Sequence, residues 1–271
     1  MGYSIFSNTM ADMNYQQVEK AALENLPVLF PVAVIEEHGP HLCLGTDTYL
    51  TYYLCNRIRE RLIELGTDCL IAPPYYWGIN GATTGFAGSF TVKPETMTAV
   101  LCDSLECLKN WGFNNIFLFN FHGDRKQNAA IADIVKKAYE ELKIGAYFVV
   151  GDTYLQRAGV PADAPYFIVQ ASEPEPPAEY IDIHAGAFET GFMVKNYPEI
   201  ADADLARTLK SSRTRPEDMK VWRDGGQAAR GVTPLGYCGD PSDFSMDKAV
   251  EFEESLIQGM PEAIYEFLKR V

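Results

Sequence analysis

Apolar residues along this chain come in two rhythms, short unbroken runs and longer stretches at helical spacing, and the two alternate. Val28 to Ile35 is apolar, rich in Val, and broken only at Pro31. That is the mark of a buried strand, and it ends abruptly in charge at Glu36. Ahead of it, Asn14 to Asn25 reads as a short helix that Pro27 stops. Thr48 to Leu65 carries Leu, Tyr and Ile at helical spacing and ends at Gly66, a residue suited to the left-handed position after a helix. Cys69 to Ala72 is a second short strand. Pro94 opens another helix at its favoured first position, and Trp111-Gly112 closes it. Asn115 to Phe121 is the strongest strand pattern in the chain. A helix from about Lys126 to Leu142 and a strand from Ala146 to Val150 follow it. The alternation predicts an α/β fold: one domain over residues 1–271, with a mostly parallel central sheet flanked by helices on both faces.

Other stretches are less regular. Residues 73–90 (PPYYWGINGATTGFAGSF) are full of Gly, Pro and aromatics, and read equally as a pocket wall or a packed surface Ω-loop. Gly159 to Tyr180, which contains SEPEPPAEY, reads as a loop or lid rather than a linker. Gly225 to Asp243 is Gly-rich and expected to be irregular. Asp247 to Arg270 has a helical pattern interrupted at Pro261. No internal repeat is visible.

At 47% hydrophobic and 22% charged residues the composition is that of an ordinary soluble protein, so only the charge changes the picture. A formal net charge of −14 repels a phosphate backbone and gives an anionic membrane nothing to attract. The expected partner is a small-molecule substrate, with no nucleic acid and no membrane. The start lacks a basic segment followed by an apolar core, and no apolar run approaches the ~20 residues needed to span a bilayer. Phe6 stands where a myristoylation signal needs Ser or Thr. A cytoplasmic location is expected. The cysteines are scattered without a CxxC and read as reduced, buried small hydrophobes without chemistry.

Candidate chemistry concentrates in IEEHGPHLCLGTD, Ile35 to Asp47. Glu36 and His38 lie two residues apart, so an extended segment projects both from one face while Glu37 points the other way. The Gly39-Pro40 turn brings the chain round, and Asp47 can return a third ligand to the same place. A carboxylate has two oxygens, so one of these acids can bridge two metals ~3.5–4 Å apart. Asp47 equally suits a helix cap. Every histidine, His38, His41, His122 and His184, falls in one of three segments that also hold Asp or Glu. In a parallel sheet the site lies at the carboxyl ends of the strands, and Glu36 and His122 both follow predicted strands. Imidazoles mixed with carboxylates suit Zn, Mn or Fe as the divalent ion rather than Ca or Mg. A cation of that kind acidifies bound water to a pKa of ~7, and the expected chemistry is hydrolytic attack on a carbonyl carbon. His184 is the candidate proton donor, since an unperturbed imidazole titrates at ~6.5. Glu189 reads either as a further ligand or as a solvent-facing helical acid.

These segments resemble one family. Glu36-Glu37-His38-Gly39-Pro40-His41-Leu42 with Thr46-Asp47 is similar to the E-x-H-G-x-H-L-P…T-D signature of the creatininase family of metal-dependent amidohydrolases. Asn120-Phe121-His122-Gly123 resembles its N-G-H-G-G-N segment, and His184-Ala185-Gly186-Ala187-Phe188-Glu189-Thr190 its H-A-G-x-x-E-T. Weaker echoes are Gly85 to Ser89 and Gly239-Asp240-Pro241. The resemblance implies a homo-oligomer, usually a hexamer, and a site holding two divalent metal ions. By position it implies Glu36, His38, Asp47, His122 and Glu189 as metal ligands with Asp47 bridging, and His184 as proton donor beside the substrate.

The sequence also departs from the family pattern. Cys43 replaces the usual Pro, a packing change. His122-Gly123 continues as Asp124-Arg125-Lys126, so Asp124 is expected as an extra ligand or a general base, and Arg125-Lys126 as a contact for an anionic substrate or a solvated helix start. Thr83-Thr84 stands where many members carry a His, which argues against creatinine itself as substrate. The leading expectation is hydrolysis of a small cyclic amide. The alternatives are cleavage of a ring C–C bond in a sugar- or inositol-derived diketone, and a non-catalytic binding protein on the same fold.

Overall fold

The computed structural model describes residues 4–171 and 178–270. Five strands, β1 (Val28–Pro31), β2 (Leu70–Ile71), β3 (Ile116–Phe119), β4 (Ala146–Gly151) and β5 (Phe167–Gln170), form one all-parallel sheet in the order β2-β1-β3-β4-β5. Phe30 of β1 pairs in register with Leu118 of β3, and Leu118 with Phe148 of β4. Around the sheet run α1 (Tyr15–Leu23), α2 (Thr46–Glu64), α3 (Pro94–Trp111), α4 (Arg125–Glu140), α5 (Asp152–Ala158), α6 (Ala187–Asn196), α7 (Ala203–Thr208), α8 (Met219–Asp224), α9 (Gly226–Val232), α10 (Met246–Ile257) and α11 (Met260–Leu268).

Strand side chains alternate between two cores, as the pleat requires. Phe30, Ile116, Leu118, Phe148 and Val150 pack with Leu101 and Leu105 of α3 and with Ile131, Ile134 and Val135 of α4. Leu29, Ile71, Phe117, Phe119 and Val149 face the other way, onto Leu50, Leu54 and Ile58 of α2, Phe192 of α6 and Ile264 of α11. Each fully buried side chain of this kind contributes about 1.5–3 kcal/mol, so the strand ends are anchored from both faces. Strand order reverses between β1 and β3: the chain leaves β1 toward β2, then returns to β3 on the opposite side. A crevice opens at the carboxyl ends of the strands at such a reversal. Segments 32–47 and 120–124 leave from the two strands that border it.

The expected parallel sheet with helices on both faces is present, with several local differences. β1 ends at Pro31, although the backbone stays extended: Val32 N–H donates to Phe119 O at 2.8 Å and Ala33 N–H to Tyr75 O at 2.8 Å. α2 starts at Thr46 rather than Thr48, with Gly45 in the capping position, so Asp47 lies in the first turn and is not the cap. β5 falls in the stretch read as a loop or lid; its apolar run, Tyr166 to Val169, is only four residues long and lies between Pro-containing segments that read as loop. The SEPEPP portion of that stretch lies outside the described residues. α9 forms inside the stretch expected to be irregular. The C-terminal helical pattern divides at Gly259, which has a φ of 72°, and Pro261 lies in the first turn of α11 rather than breaking a helix. Among the described residues no helix is long and apolar enough to cross a membrane.

Candidate metal centre

Glu36, His38 and Asp47 are nearly inaccessible, at 2%, 0% and 2% exposure, so these polar groups need partners or ions. His38 Nδ1 lies 3.1 Å from the carbonyl oxygen of Glu36, which can only accept, so Nδ1 carries the proton. Its Nε2 is then the nitrogen available to a cation, 3.4 Å from Asp47 Oδ1 and 3.7 Å from Glu189 Oε2. On the other side of Asp47, Oδ2 lies 2.9 Å from His122 Nδ1, and Glu36 Oε1 lies 3.1 Å from the same nitrogen. Among the described residues, three sets of donor atoms are each compact enough to share one ion: Glu36, Asp47 and His122; His38, Asp47 and Glu189; and Glu36, His38 and His184. The first two meet at Asp47. Among the described residues His38 Nε2 is buried without a hydrogen-bond partner, which is what a metal ligand looks like when only protein atoms surround it. The donor set therefore fits divalent cations.

Local structure explains how each side chain arrives. Asn120 accepts from His122 N–H at 3.2 Å and donates to His122 O at 2.9 Å, which folds the turn after β3 and aims His122 into the crevice. Glu189 sits in the first turn of α6, where Ala185 N–H donates to its Oε2 at 2.6 Å. Ala185 itself is fully buried with a φ of 49°, a left-handed conformation costing an L-residue roughly 1–2 kcal/mol. That strain sits beside His184, where a bend lets the imidazole face the cluster. His184 donates from Nε2 to the carbonyl oxygen of Glu37 at 2.8 Å, leaving Nδ1 directed at Glu36 Oε1 at 3.8 Å.

Charge coupling follows the geometry. Burial opposes charging of His38, but Asp47, Glu189 and Glu36 outweigh it and raise its pKa to about 10. Burial likewise opposes charging of His122, and Glu36 and Asp47 lift it well above its usual value. Burial alone would raise Asp47 and Glu36; the neighbouring imidazoles reverse this and hold both below the ordinary carboxylate range. In Glu189 burial prevails and the pKa is raised. The metal-free cluster thus holds protons where cations fit.

Asp124, expected as an extra ligand or general base, lies outside all three donor sets. Its Oδ1 accepts from Lys126 N–H at 2.7 Å and Gln127 N–H at 3.1 Å, capping α4, and its Oδ2 accepts from Gly81 N–H at 2.9 Å. The 73–90 segment, left open between pocket wall and surface loop, closes over the site. Thr83 donates from Oγ1 to Glu36 Oε2 at 2.6 Å and accepts from Ser89 Oγ at 3.0 Å and from Asn80 Nδ2. His41 belongs to none of the donor sets; its Nε2 meets Thr190 Oγ1 at 2.8 Å, pinning the first motif to α6. Sequence reasoning missed Thr83, Ser89 and Glu37 as supports, and also Trp222, whose ring lies 6.0 Å from that of His184. Only the polar residues within an otherwise apolar, Gly-rich loop hinted at the first two.

Residue groups able to hold metal line the crevice of this fold, and the family the chain matches is one of hydrolases. A family model described as "Creatininase: Creatinine amidohydrolase" matches residues 11–264, and the chain belongs to the creatininase family. It is 25% identical to a creatinine amidohydrolase from Pseudomonas putida, over 98% of both chains. A mycofactocin precursor peptide peptidase from Mycolicibacterium smegmatis is 27% identical over 88% of this chain and 83% of its own. A 3-dehydro-scyllo-inosose hydrolase from Thermotoga maritima is 23% identical over 95% and 83%. Among solved structures, a manganese form of creatininase superposes with a TM-score of 0.70 at 22% identity, covering 96% of this chain and 98% of that one. A zinc–zinc form of a creatininase mutant gives 0.69 at 22%, covering 98% of each. At that identity the structures speak for the fold.

Proposed function

We propose that this chain is a two-ion hydrolase that opens an amide bond in a small cyclic substrate. The observation that carries the reading is the division of Asp47 between two donor sets, Oδ1 toward His38 and Oδ2 toward His122. Glu36 and His122 would complete one ion site, His38 and Glu189 the other. Zn or Mn suits the mixed nitrogen and oxygen donors. Bound there, the ions would acidify water and polarise a carbonyl.

The chain's own residues supply the rest. Thr83 fixes the rotamer of Glu36, and the Glu36 carbonyl fixes the tautomer of His38. His184, tethered through Nε2 to Glu37 O, keeps Nδ1 free to pass a proton to the departing nitrogen. Burial of the whole cluster strengthens each of these interactions by excluding water. Two of the named relatives, the creatinine amidohydrolase and the peptide peptidase, favour an amide bond as target. The inosose hydrolase supports the second reading, cleavage of a ring C–C bond.

Turnover of the Mn- or Zn-loaded protein on a panel of cyclic amides and cyclic diketones separates these. A ring-opened acid that retains the former ring nitrogen as a freed N–H group supports the amide reading. A ring-opened keto acid as the only product would replace it with the second.

A further inference from the structure

Three arginines near the site make no use of the protein's many acids. Arg125 opens α4 at the carboxyl end of β3, Arg157 lies on α5 after β4, and Arg223 lies on α8 next to Trp222. None of the three forms an ion pair or a side-chain hydrogen bond with the described residues. Elsewhere Arg57, Arg59, Arg61 and Arg215 pair with carboxylates, and Arg207 and Arg230 lie over aromatic rings.

The backbone brings the three together. α8 ends at Gly225, which has a φ of 78° and abuts Gly81 so closely that an added Cβ would lie 2.1 Å from Gly81 O. Gly81 N–H in turn donates to Asp124, the residue before Arg125. α5 packs against α4. Partial burial and the guanidiniums of Arg125 and Arg157 hold Arg223 below its ordinary pKa, so the like charges do feel one another. Such repulsion in a chain of net charge −14 runs against its overall field. Trp222 joins this cluster to the reaction centre, its ring facing His184 at 6.0 Å.

We infer that Arg125, Arg157 and Arg223 form a docking site for an anionic group on the substrate, a carboxylate or a phosphate, carried on the ring opened at the metal centre. The inference rests on the hydrolase reading and narrows its substrate class. Guanidiniums match both anions with paired N–H donors, and charge-assisted bonds of this kind are about twice as strong as neutral ones. Trp222 supplies a flat wall between the anion and the labile bond.

The test has two arms, both on metal-loaded protein. In the first, calorimetry measures binding of succinate and of inorganic phosphate to the wild type, Arg157→Gln, Arg223→Gln and the metal-site variant His38→Ala. Each arginine replacement should weaken the preferred anion at least tenfold, and His38→Ala should leave it within threefold. Whichever probe binds more tightly identifies the anion. Loss confined to His38→Ala overturns the inference, because the probes would then be sitting on the metals. In the second arm, hydantoin is compared with 5-carboxymethylhydantoin and with a ring bearing a phosphate ester arm. A kcat/KM at least tenfold higher for one charged ring, lost in Arg223→Gln mainly through KM while the hydantoin rate holds, supports the docking site. Equal values for neutral and charged rings overturn it. If no ring is opened, the amide reading fails while the first arm still decides on anion docking. Because all three arginines are exposed, the replacements should leave melting temperature and metal content unchanged.

Discussion

Thr83 and Glu36 stand 47 residues apart in sequence, yet the Thr83 hydroxyl donates to Glu36 Oε2 at 2.6 Å in a fully buried contact. One oxygen of Glu36 is thereby held, and Oε1 is left to face His122. Partners that orient a ligating carboxylate typically contribute 10–100-fold to metal affinity. Thr83→Val should weaken metal binding by that factor, and Thr83→Ser should restore most of it. Competitive chelator titration measures both; an unchanged Thr83→Val affinity would remove Thr83 from the site's support.

His184→Ala should retain metal yet lose turnover by roughly 10²–10⁴-fold, the range for a missing proton donor. Its Nδ1 also lies within reach of Glu36 and His38 as a potential ligand. Metal content measured beside kcat separates the roles. Loss of an ion in the variant would make His184 a ligand instead.

Metal binding should release protons. In the metal-free chain the pKa of His38 is raised to about 10, so at pH 8 its Nε2 carries a proton that a cation must displace. A raised folded-state pKa stabilises the metal-free fold fully below the unfolded value of ~6.5, and that contribution is lost as pH climbs through about 10. Calorimetry at pH 8 in buffers of differing ionisation enthalpy should show proton release. Thermal melts of metal-free protein should show stability falling from pH 7 to pH 10. Binding heats independent of buffer would contradict the first expectation.

Gly236 has a φ of 83°, and a Cβ there would lie 1.9 Å from Glu37 Oε2. Gly236→Ala should cost about 1–3 kcal/mol in stability through overpacking alone. Because Glu37 carries His184, turnover should fall further than the change in folded fraction accounts for. Chemical denaturation and kcat on the same preparation test this, and a kcat tracking only the folded fraction would detach Glu37 from catalysis.

Much of this arrangement is legible along the chain because local physics dominates there. Apolar runs such as Ile116–Phe119 announce buried parallel strands, and the charged residues that follow them mark the strand ends where sites form. Parallel β5 was hidden because its apolar run, Tyr166 to Val169, is short and lies between Pro-containing segments that read as loop. Asp124 reads ambiguously in sequence: an acid that caps a helix and one that holds a metal look identical until its oxygens are traced, here to backbone amides. Thr83 and Trp222 acquire meaning only through contacts across the fold, with Glu36 and with His184, which no local pattern encodes.

Asp47 is expected to join two cations. Elemental analysis of purified, metal-reconstituted protein tests it most directly. Two transition-metal ions per chain are expected in the wild type, and fewer than one in Asp47→Ala, since both donor sets lose a member. A single ion per wild-type chain, or a metal content untouched by Asp47→Ala, would contradict it.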